Sequence, residues 1–399
     1  MQLELTPQDV QYRERVRQWL AQALPAGWGR TVREPTDEEL RAQFRRDWDR
    51  KLYAGGWAGI SWPKAYGGQG ATLVQKAIFL EESARARAPE GLAIVGRNVV
   101  GPTLIAHGSE EQKSRFIRPL LAADEIWCLG LSEPDAGSDL AAVRCRAEAH
   151  AGGFLVTGQK TWTSYAQYAS WCLLLARTDP KAAKHRGLTL FLLDMKAPGV
   201  TVRPLRQMTG ASEFNEVFFD GVFVPANRVV GTLDAGWNLL QTSLSAERGP
   251  EEGLHRQMLY RQFFDELLDW ATQPGPNGRA RSEDPVVRQK LAQCYIDLEI
   301  MRLDCLRGLA GVMAGRKPGA AASVTKLYWS HMIQRVMSEA LDLQGPGSIL
   351  SSGDPDSPSD GLFQFEFLWS RAASIYSGAS QIQRNIIAER VLGLPRQES

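Results

Sequence analysis

Nowhere in this sequence do about 18 consecutive apolar residues occur, the length a membrane-crossing helix needs. The first residues, "MQLELTPQDVQYRERVRQWLAQALP", carry a charge every few positions and lack the apolar centre of a signal peptide. Cysteine is scarce. The five (Cys128, Cys145, Cys172, Cys294, Cys305) are odd in number and form no CxxC pair. A disulfide framework or zinc site is therefore not expected, and a reducing, cytoplasmic setting is. Histidine is equally sparse, five in all with none in a metal-like pair, so no metal ligand is assigned. There is no strand-borne GxGxxG, no GxxxxGK[ST], no HExxH and no GxSxG, which removes the commonest nucleotide-binding and hydrolytic signatures. Nor is there an excess of charge: 46 Lys and Arg stand against 45 acidic residues, a formal +1. A chain built to neutralise nucleic acid backbone would be more basic. A local basic pocket for a small anionic ligand is still compatible with that balance.

What is present is a normal globular composition, 44% hydrophobic and 23% charged, over 399 residues. That length exceeds one ordinary core and implies two or three domains. From Thr6 to about Glu125 the apolar period is helical. Thr6-Pro7 reads as a cap and first-turn proline, followed by Val10, Val16, Trp19 and Leu20 at helical spacing. "TDEELRAQFRRDWDRKLYAGG" is a helix closed by Gly55-Gly56, and "TLVQKAIFLEESARARA" is another. Ser109 stands three before Gln112, a capping-box spacing. Between about Ile126 and Gly231 the segments become short, β-branched or aromatic, and bounded by Gly, Pro or Asp. "GGFLVTGQKTWTS", "YASWCLLLART", "GLTLFLLDM", "GVTVRPL" and "EVFFDGVFVP" read as strands of a compact antiparallel sheet or barrel. After Ala235 helical periodicity returns and persists, beginning with "GWNLLQTSLSAERGPEEGLHRQMLYRQFFDELLDWA". The order helices, strands, helices, without βαβ alternation, is an α+β arrangement with expected domains at 1–125, 126–232 and 233–399.

Two stretches can carry chemistry. "SEPDAGSDL" (132–140) taken alone is an ordinary Asx or Ser turn; alternatively, its amides and hydroxyls face a flat polar ligand. "GQKTWTS" (158–164) sets Trp162 among hydroxyl residues; alone, such a Trp is most often core. Together and in this order, about 25 residues apart, the two pieces are far more specific than either.

With these motifs the chain resembles the acyl-CoA dehydrogenase family of flavoproteins. "WPKAYGGQG", "GSEEQK", "SEPDAGSDL", "GQKTWTS" and "SQIQRNIIAERVLGLP" follow the family's order nearly from end to end. The resemblance implies an N-terminal helical domain, a middle antiparallel β-barrel domain and a C-terminal four-helix bundle. It also implies non-covalent FAD. Leu131 and Ser132 would face the pyrimidine edge of the flavin, and Ser138 would lie near its phosphate and the acyl-CoA. Trp162 would lie along the isoalloxazine with Ser164 at the N5 side, while Gly378, Ser380 and Gln381 would hold the adenosine half. "LQGPG" departs from the family's pyrophosphate loop but places Gln344, Gly345 and Gly347 there. The family's R-x-F-G between the first two bundle helices is replaced by "PNGRARSEDP", in which Arg279 is the substitute arginine.

The reaction implied is dehydrogenation of an acyl-CoA to its trans-2-enoyl-CoA, a carboxylate taking the α-proton while the β-hydrogen leaves as hydride to flavin N5. In many members that carboxylate directly follows the Tyr of the C-terminal motif. Here "IYSGASQIQRN" puts Ser377 after Tyr376. A smaller branch places the Glu, followed by Arg, on the first long helix of the C-terminal domain, and "SLSAERGPEEG" supplies Glu247-Arg248 at that place. Glu247 is thus the expected base, with Arg248 tuning the charge there. Tyr376 lines the acyl channel, and Ser377 offers its backbone N–H to the thioester oxygen. Expected partners are the acyl-CoA, an electron-transfer flavoprotein as acceptor, and copies of the chain in a dimer or tetramer. Alternatives stay open. They are an acyl-CoA oxidase passing electrons to O2, a flavin monooxygenase or nitroalkane oxidase, and a catalytically silent subunit of a heteromer, suggested by the missing Glu at 377 and the altered FAD loops.

Overall fold

The computed structural model describes residues 5–29, 31–246, 249–275, 278–316 and 319–395, with backbone only at 242–246. Its main elements, in chain order, are α1 (Pro7–Ala23), α2 (Glu38–Ala54), α3 (Leu73–Arg85), α4 (Gly101–His107), α5 (Glu110–Ala122), β1 (Trp127–Gly130), β2 (Arg146–His150), β3 (Gly153–Ser164), β4 (Trp171–Arg177), β5 (Leu188–Asp194), β6 (Val200–Leu205), β7 (Phe214–Pro225), β8 (Val229–Val230), α6 (Gly236–Ala246), α7 (Pro250–Thr272), α8 (Pro285–Met313), α9 (Ala322–Gln344), α10 (Leu362–Ser370) and α11 (Ser380–Ile386). The helix–strand–helix order read from periodicity is the order observed.

Local signals account for the helix ends. Asp37 accepts from the Leu40 amide at 3.0 Å, and Gly55 closes α2. Ser109 and Gln112 satisfy one another's backbone amides at 3.2 Å, forming the expected capping box. One helical stretch is interrupted where continuity was expected. Residues 236–271 form α6 and α7, because Pro250 has no amide to extend a preceding helix and instead starts a new one.

The chain forms two compact units. One comprises residues 22–72 and 89–247. Its sheet runs β6-β7-β3-β2-β4-β5-β8, with β1 also on β4. Most pairings are antiparallel, as expected, but β1 and β2 both lie parallel to β4. Strands β4 and β5 are buried along nearly their whole length. Alternation divides β4: Trp171, Leu173 and Leu175 join Trp62, Phe116 and Trp127 in one core, while Cys172, Leu174 and Ala176 join Val156 and Phe219 in another.

The other unit comprises residues 1–21, 73–88 and 248–399. Helical spacing builds its core: Tyr260, Phe264, Leu267 and Ala271 of α7 meet Leu291, Cys294, Leu298 and Met301 of α8 and Trp329, Ile333, Val336 and Ala340 of α9. Helix α3 lies along α7 in the same direction. His255 Nδ1 is 2.9 Å from the Leu80 carbonyl, Gln262 donates to the Arg85 carbonyl at 2.8 Å, and Arg87 pairs with Glu266.

Candidate active site

In the sheet-containing unit the candidate residues are drawn together by one strand. Loop 131–145 leaves β1 and returns as β2 along the same edge of β4. It is fastened to β3 by consecutive residues. Lys160 Nζ donates to the Leu131 carbonyl at 2.9 Å and to Glu133 Oε1 at 2.8 Å, and the Thr161 amide donates to the Ser132 carbonyl at 2.9 Å. Glu133 also accepts from the amides of Arg144 (2.6 Å) and Cys145 (2.9 Å). Lys160 has no exposed surface, so this is a buried ion pair with its remaining valences met by backbone. Neither Lys160 nor Glu133 was singled out from sequence, although both lie inside the motifs. Nothing in a one-dimensional pattern separates a buried charge from a solvated one.

Immediately beyond this latch the register of β3 against β7 slips between Lys160 and Thr163. Trp162 sits on that bulge with φ +59° and 60% of its surface exposed. A bulky residue in left-handed backbone is uncommon, and bulges re-aim side chains near sites. The indole meets the Phe214 ring at a steep angle of 78°, centroids 6.1 Å apart. Asn215 fixes the strand behind it by donating to the Thr163 carbonyl at 3.1 Å and to Gln167 at 2.5 Å. Ser164 ends β3 half-buried. Ser138 is exposed, next to Asp139, whose carboxylate pairs with Lys184 at 2.5 Å.

In the other unit the Tyr376 segment forms a tight turn. Ser377 (φ +52°) and Gly378 (φ +92°) both adopt left-handed backbone. Gln383, buried, donates to the Ser377 carbonyl at 3.3 Å and the Gly378 carbonyl at 3.1 Å. Those bonds leave the exposed Ser377 presented on a fixed loop. Gln383 was also missed, though it is the last residue of the Tyr-x-Gly-x-Ser-x-Ile-Gln spacing. The Tyr376 ring lies 6.2 Å from Trp329. Lys326 Nζ sits 5.7 Å from the Tyr376 ring and donates to the Ala373 carbonyl at 2.5 Å. Ser380 is buried with its hydroxyl 3.2 Å from His331 Nε2, and Gln381 is exposed. Burial, with help from Arg384, Lys326 and Arg335, lowers the His331 pKa and favours the neutral imidazole. On α10, burial pushes the Glu366 carboxyl up to about 7.

The remaining expectations fall elsewhere. Gln344 ends α9 buried, with neither amide atom hydrogen-bonded among the described residues, and Gly345 (φ +64°) caps that helix. Gly347 accepts from Gln364 at 3.3 Å. Arg279 is exposed and pairs with Glu283 at 3.1 Å on the approach to α8. Glu247 and Arg248 lie outside the described residues. No group of three or more His, Cys, Asp or Glu suited to a metal occurs among the described residues, and no described helix is long and apolar enough to cross a membrane.

Comparison with known proteins identifies the family. Profiles for the N-terminal, middle and C-terminal domains of acyl-CoA dehydrogenases match residues 6–124, 128–222 and 234–392. The acyl-CoA dehydrogenase IpdE1 of Mycolicibacterium smegmatis is 39% identical over 97% of this chain and 98% of its own length. Its namesake in Mycobacterium tuberculosis is 39% identical over 98% and 99%. Among solved structures, the Tcur3481-Tcur3483 steroid ACAD superposes over 100% of both chains with a TM-score of 0.88 at 29% identity. The ChsE4-ChsE5 complex from Mycobacterium tuberculosis does so over 100% of both with 0.86 at 29%. The chain belongs to the acyl-CoA dehydrogenase family of flavoprotein oxidoreductases.

Proposed function

We propose that this chain catalyses FAD-dependent α,β-dehydrogenation of a ring-bearing, steroid-derived acyl-CoA, with Glu247 as proton acceptor. The observation that carries the reading is the turn at Ser377. It holds left-handed backbone, pinned by Gln383, at the position where many relatives carry the base, yet it offers no carboxylate. A fixed backbone presentation without an acid is what a division of labour requires, and Glu247-Arg248 supplies the acid elsewhere in the chain.

The residues fit a flavin. Trp162 is a large aromatic, held in strained backbone and left open, which the isoalloxazine would cover. Leu131 and Ser132 would meet the pyrimidine edge, Ser164 the N5 side, and Gly378, Ser380 and Gln381 the adenosine half. Gln344, Gly345, Gly347 and Arg279 are the pyrophosphate candidates. When bound, FAD supplies a hydride acceptor. Ser138 and Tyr376 position the acyl-CoA. The Ser377 amide donates to the thioester oxygen, where negative charge grows as the α-proton leaves. Glu247 takes that proton, and Arg248 moderates the charge around it. An electron-transfer flavoprotein would be the partner that accepts the electrons. Support for the steroid-derived acyl group comes from a structural neighbour named a steroid ACAD.

The test is anaerobic stopped-flow reduction of the bound flavin, using cholyl-CoA beside octanoyl-CoA and isovaleryl-CoA. Glu247→Gln should retain flavin but lose reduction by about 10²–10⁴-fold, the usual contribution of a positioned base. Reduction at the wild-type rate in that variant would overturn the assignment, and a preference for octanoyl-CoA would overturn the steroid class.

A further inference from the structure

A helix that continued through Tyr376 would consume the Ser377 amide. The Ile375 and Tyr376 amides both donate to the Ala372 carbonyl, at 2.8 and 3.0 Å, the second as an α-helical bond four residues back. By that pattern the Ser377 amide would bond next to the Ala373 carbonyl, or to that of Ser374 in a tighter turn. Neither bond forms. The Ser377 amide has no acceptor among the described residues, and its backbone turns into the left-handed region at φ +52°. Both carbonyls it would have used are taken by side chains. Lys326, buried on α9, donates to the Ala373 carbonyl at 2.5 Å, and Ser380 donates to the Ser374 carbonyl at 3.4 Å. The rest of the turn is held from the same helix. Gln334 donates to the Ser370 carbonyl at 3.0 Å and the Ser374 hydroxyl at 3.1 Å, and His331 Nε2 lies 3.2 Å from the Ser380 hydroxyl. Of the two blocking bonds the one from Lys326 is shorter and charge-assisted, hence the stronger. Its ammonium is further held by the rings of Trp329 and Tyr376, 5.4 and 5.7 Å away.

We propose that Lys326 is a positioning residue for thioester binding: by occupying the Ala373 carbonyl it keeps the Ser377 amide free to donate to the thioester oxygen. This rests on the Ser377 amide being that donor. Every residue involved lies in the unit that contains 248–399, and the identity of the group that takes the α-proton does not enter.

The experiment is residue-resolved hydrogen exchange at Ser377 in the FAD-loaded protein. It is run without ligand and with the enoyl-CoA product of whichever acyl-CoA above reduces the wild type fastest. The wild-type amide should exchange near the free-peptide rate without ligand and about 2–10-fold more slowly with it, the worth of one hydrogen bond. Lys326→Met should let the amide fall back onto Ala373 and slow its ligand-free exchange by about the same 2–10-fold. A purely structural role for Lys326 would leave that exchange as fast or faster. Flavin reduction in Lys326→Met should drop about 10–100-fold with acyl-CoA affinity within about threefold of wild type, because the misdirected bond strengthens in the transition state. Lys326→Arg, which keeps a charged donor for Ala373, should restore fast exchange and most of the rate. Unchanged ligand-free exchange in Lys326→Met would overturn the proposal. If that variant does not fold, the wild type decides: an amide already protected without ligand overturns the proposal, and a freely exchanging one supports it. Failure of the enoyl-CoA to slow the wild-type amide would remove Ser377 as the donor, and positioning with it. Slowing by the ligand with no effect of Lys326→Met would remove positioning alone.

Discussion

Lys160 does more for loop 131–145 than any of the hydroxyl residues first noticed there. Its ammonium serves the Leu131 carbonyl and Glu133 at once, with no exposed surface. Removing one member of a buried pair leaves the other charged and desolvated, a loss of about 3–5 kcal/mol. Lys160→Met should therefore lower stability by that amount in urea unfolding, and it should weaken FAD binding by freeing Leu131. Removing Glu133 as well, in a Lys160→Met/Glu133→Met double variant, should not recover the whole deficit. The Arg144 and Cys145 amides would then lose their acceptor. Complete recovery on urea titration, with wild-type FAD affinity, would show that the pair neither stabilises nor shapes the loop.

At the scale of elements, the Tyr376 turn owes its shape to Gln383, a residue inside the motif that sequence did not single out. Gly378 carries φ +92°, and an added Cβ would sit 2.3 Å from Gln383 Nε2. Gly378→Ala must displace that amide and strain the backbone, a loss of about 1–3 kcal/mol. It should also slow flavin reduction, because the Ser377 amide is no longer held; a wild-type rate and unfolding midpoint would contradict this. The elements that sequence disclosed are those with local causes. Asp37, Ser109 with Gln112, and Gly55 mark helix ends through bonds within a few residues, and β4 and β5 announce themselves as apolar runs. What stayed hidden depends on partners distant in the chain. "RAEAH" of β2 has little β-propensity and is a strand because β3 pairs with it. Similarly, periodicity showed that α3 has an apolar face but not that α7 covers it. Leu131, Ser132 and Trp162 were legible as a group, while the Lys160–Glu133 latch joining them was not.

For the whole molecule, assembly is the property that the family relationship raises. Helix α8 presents Ile296, Ile300 and Leu303 to solvent at successive helical turns, with Tyr295 beside them, each roughly half exposed. Scattered exposed apolar residues need no explanation, but a continuous stripe on one long helix is the pattern of an interaction face. Helical spacing on both sides would let a matching helix interdigitate there. Two structural neighbours are named as pairs of distinct chains, Tcur3481-Tcur3483 and ChsE4-ChsE5. On the proposal of a heteromer, a related second chain would complete the FAD pyrophosphate side, where "LQGPG" departs from the family's pattern. If α8 is an assembly face, Ile300→Glu places a charge that must be desolvated on association, and native mass spectrometry should show a smaller species than wild type. If the second chain is needed for cofactor retention, flavin per protomer should rise when this chain is coexpressed with its partner. Ile300→Glu should then retain flavin only as far as assembly survives. An unchanged mass distribution for Ile300→Glu would remove α8 from the interface, and full flavin occupancy in a homogeneous single-chain preparation would make the assembly homomeric.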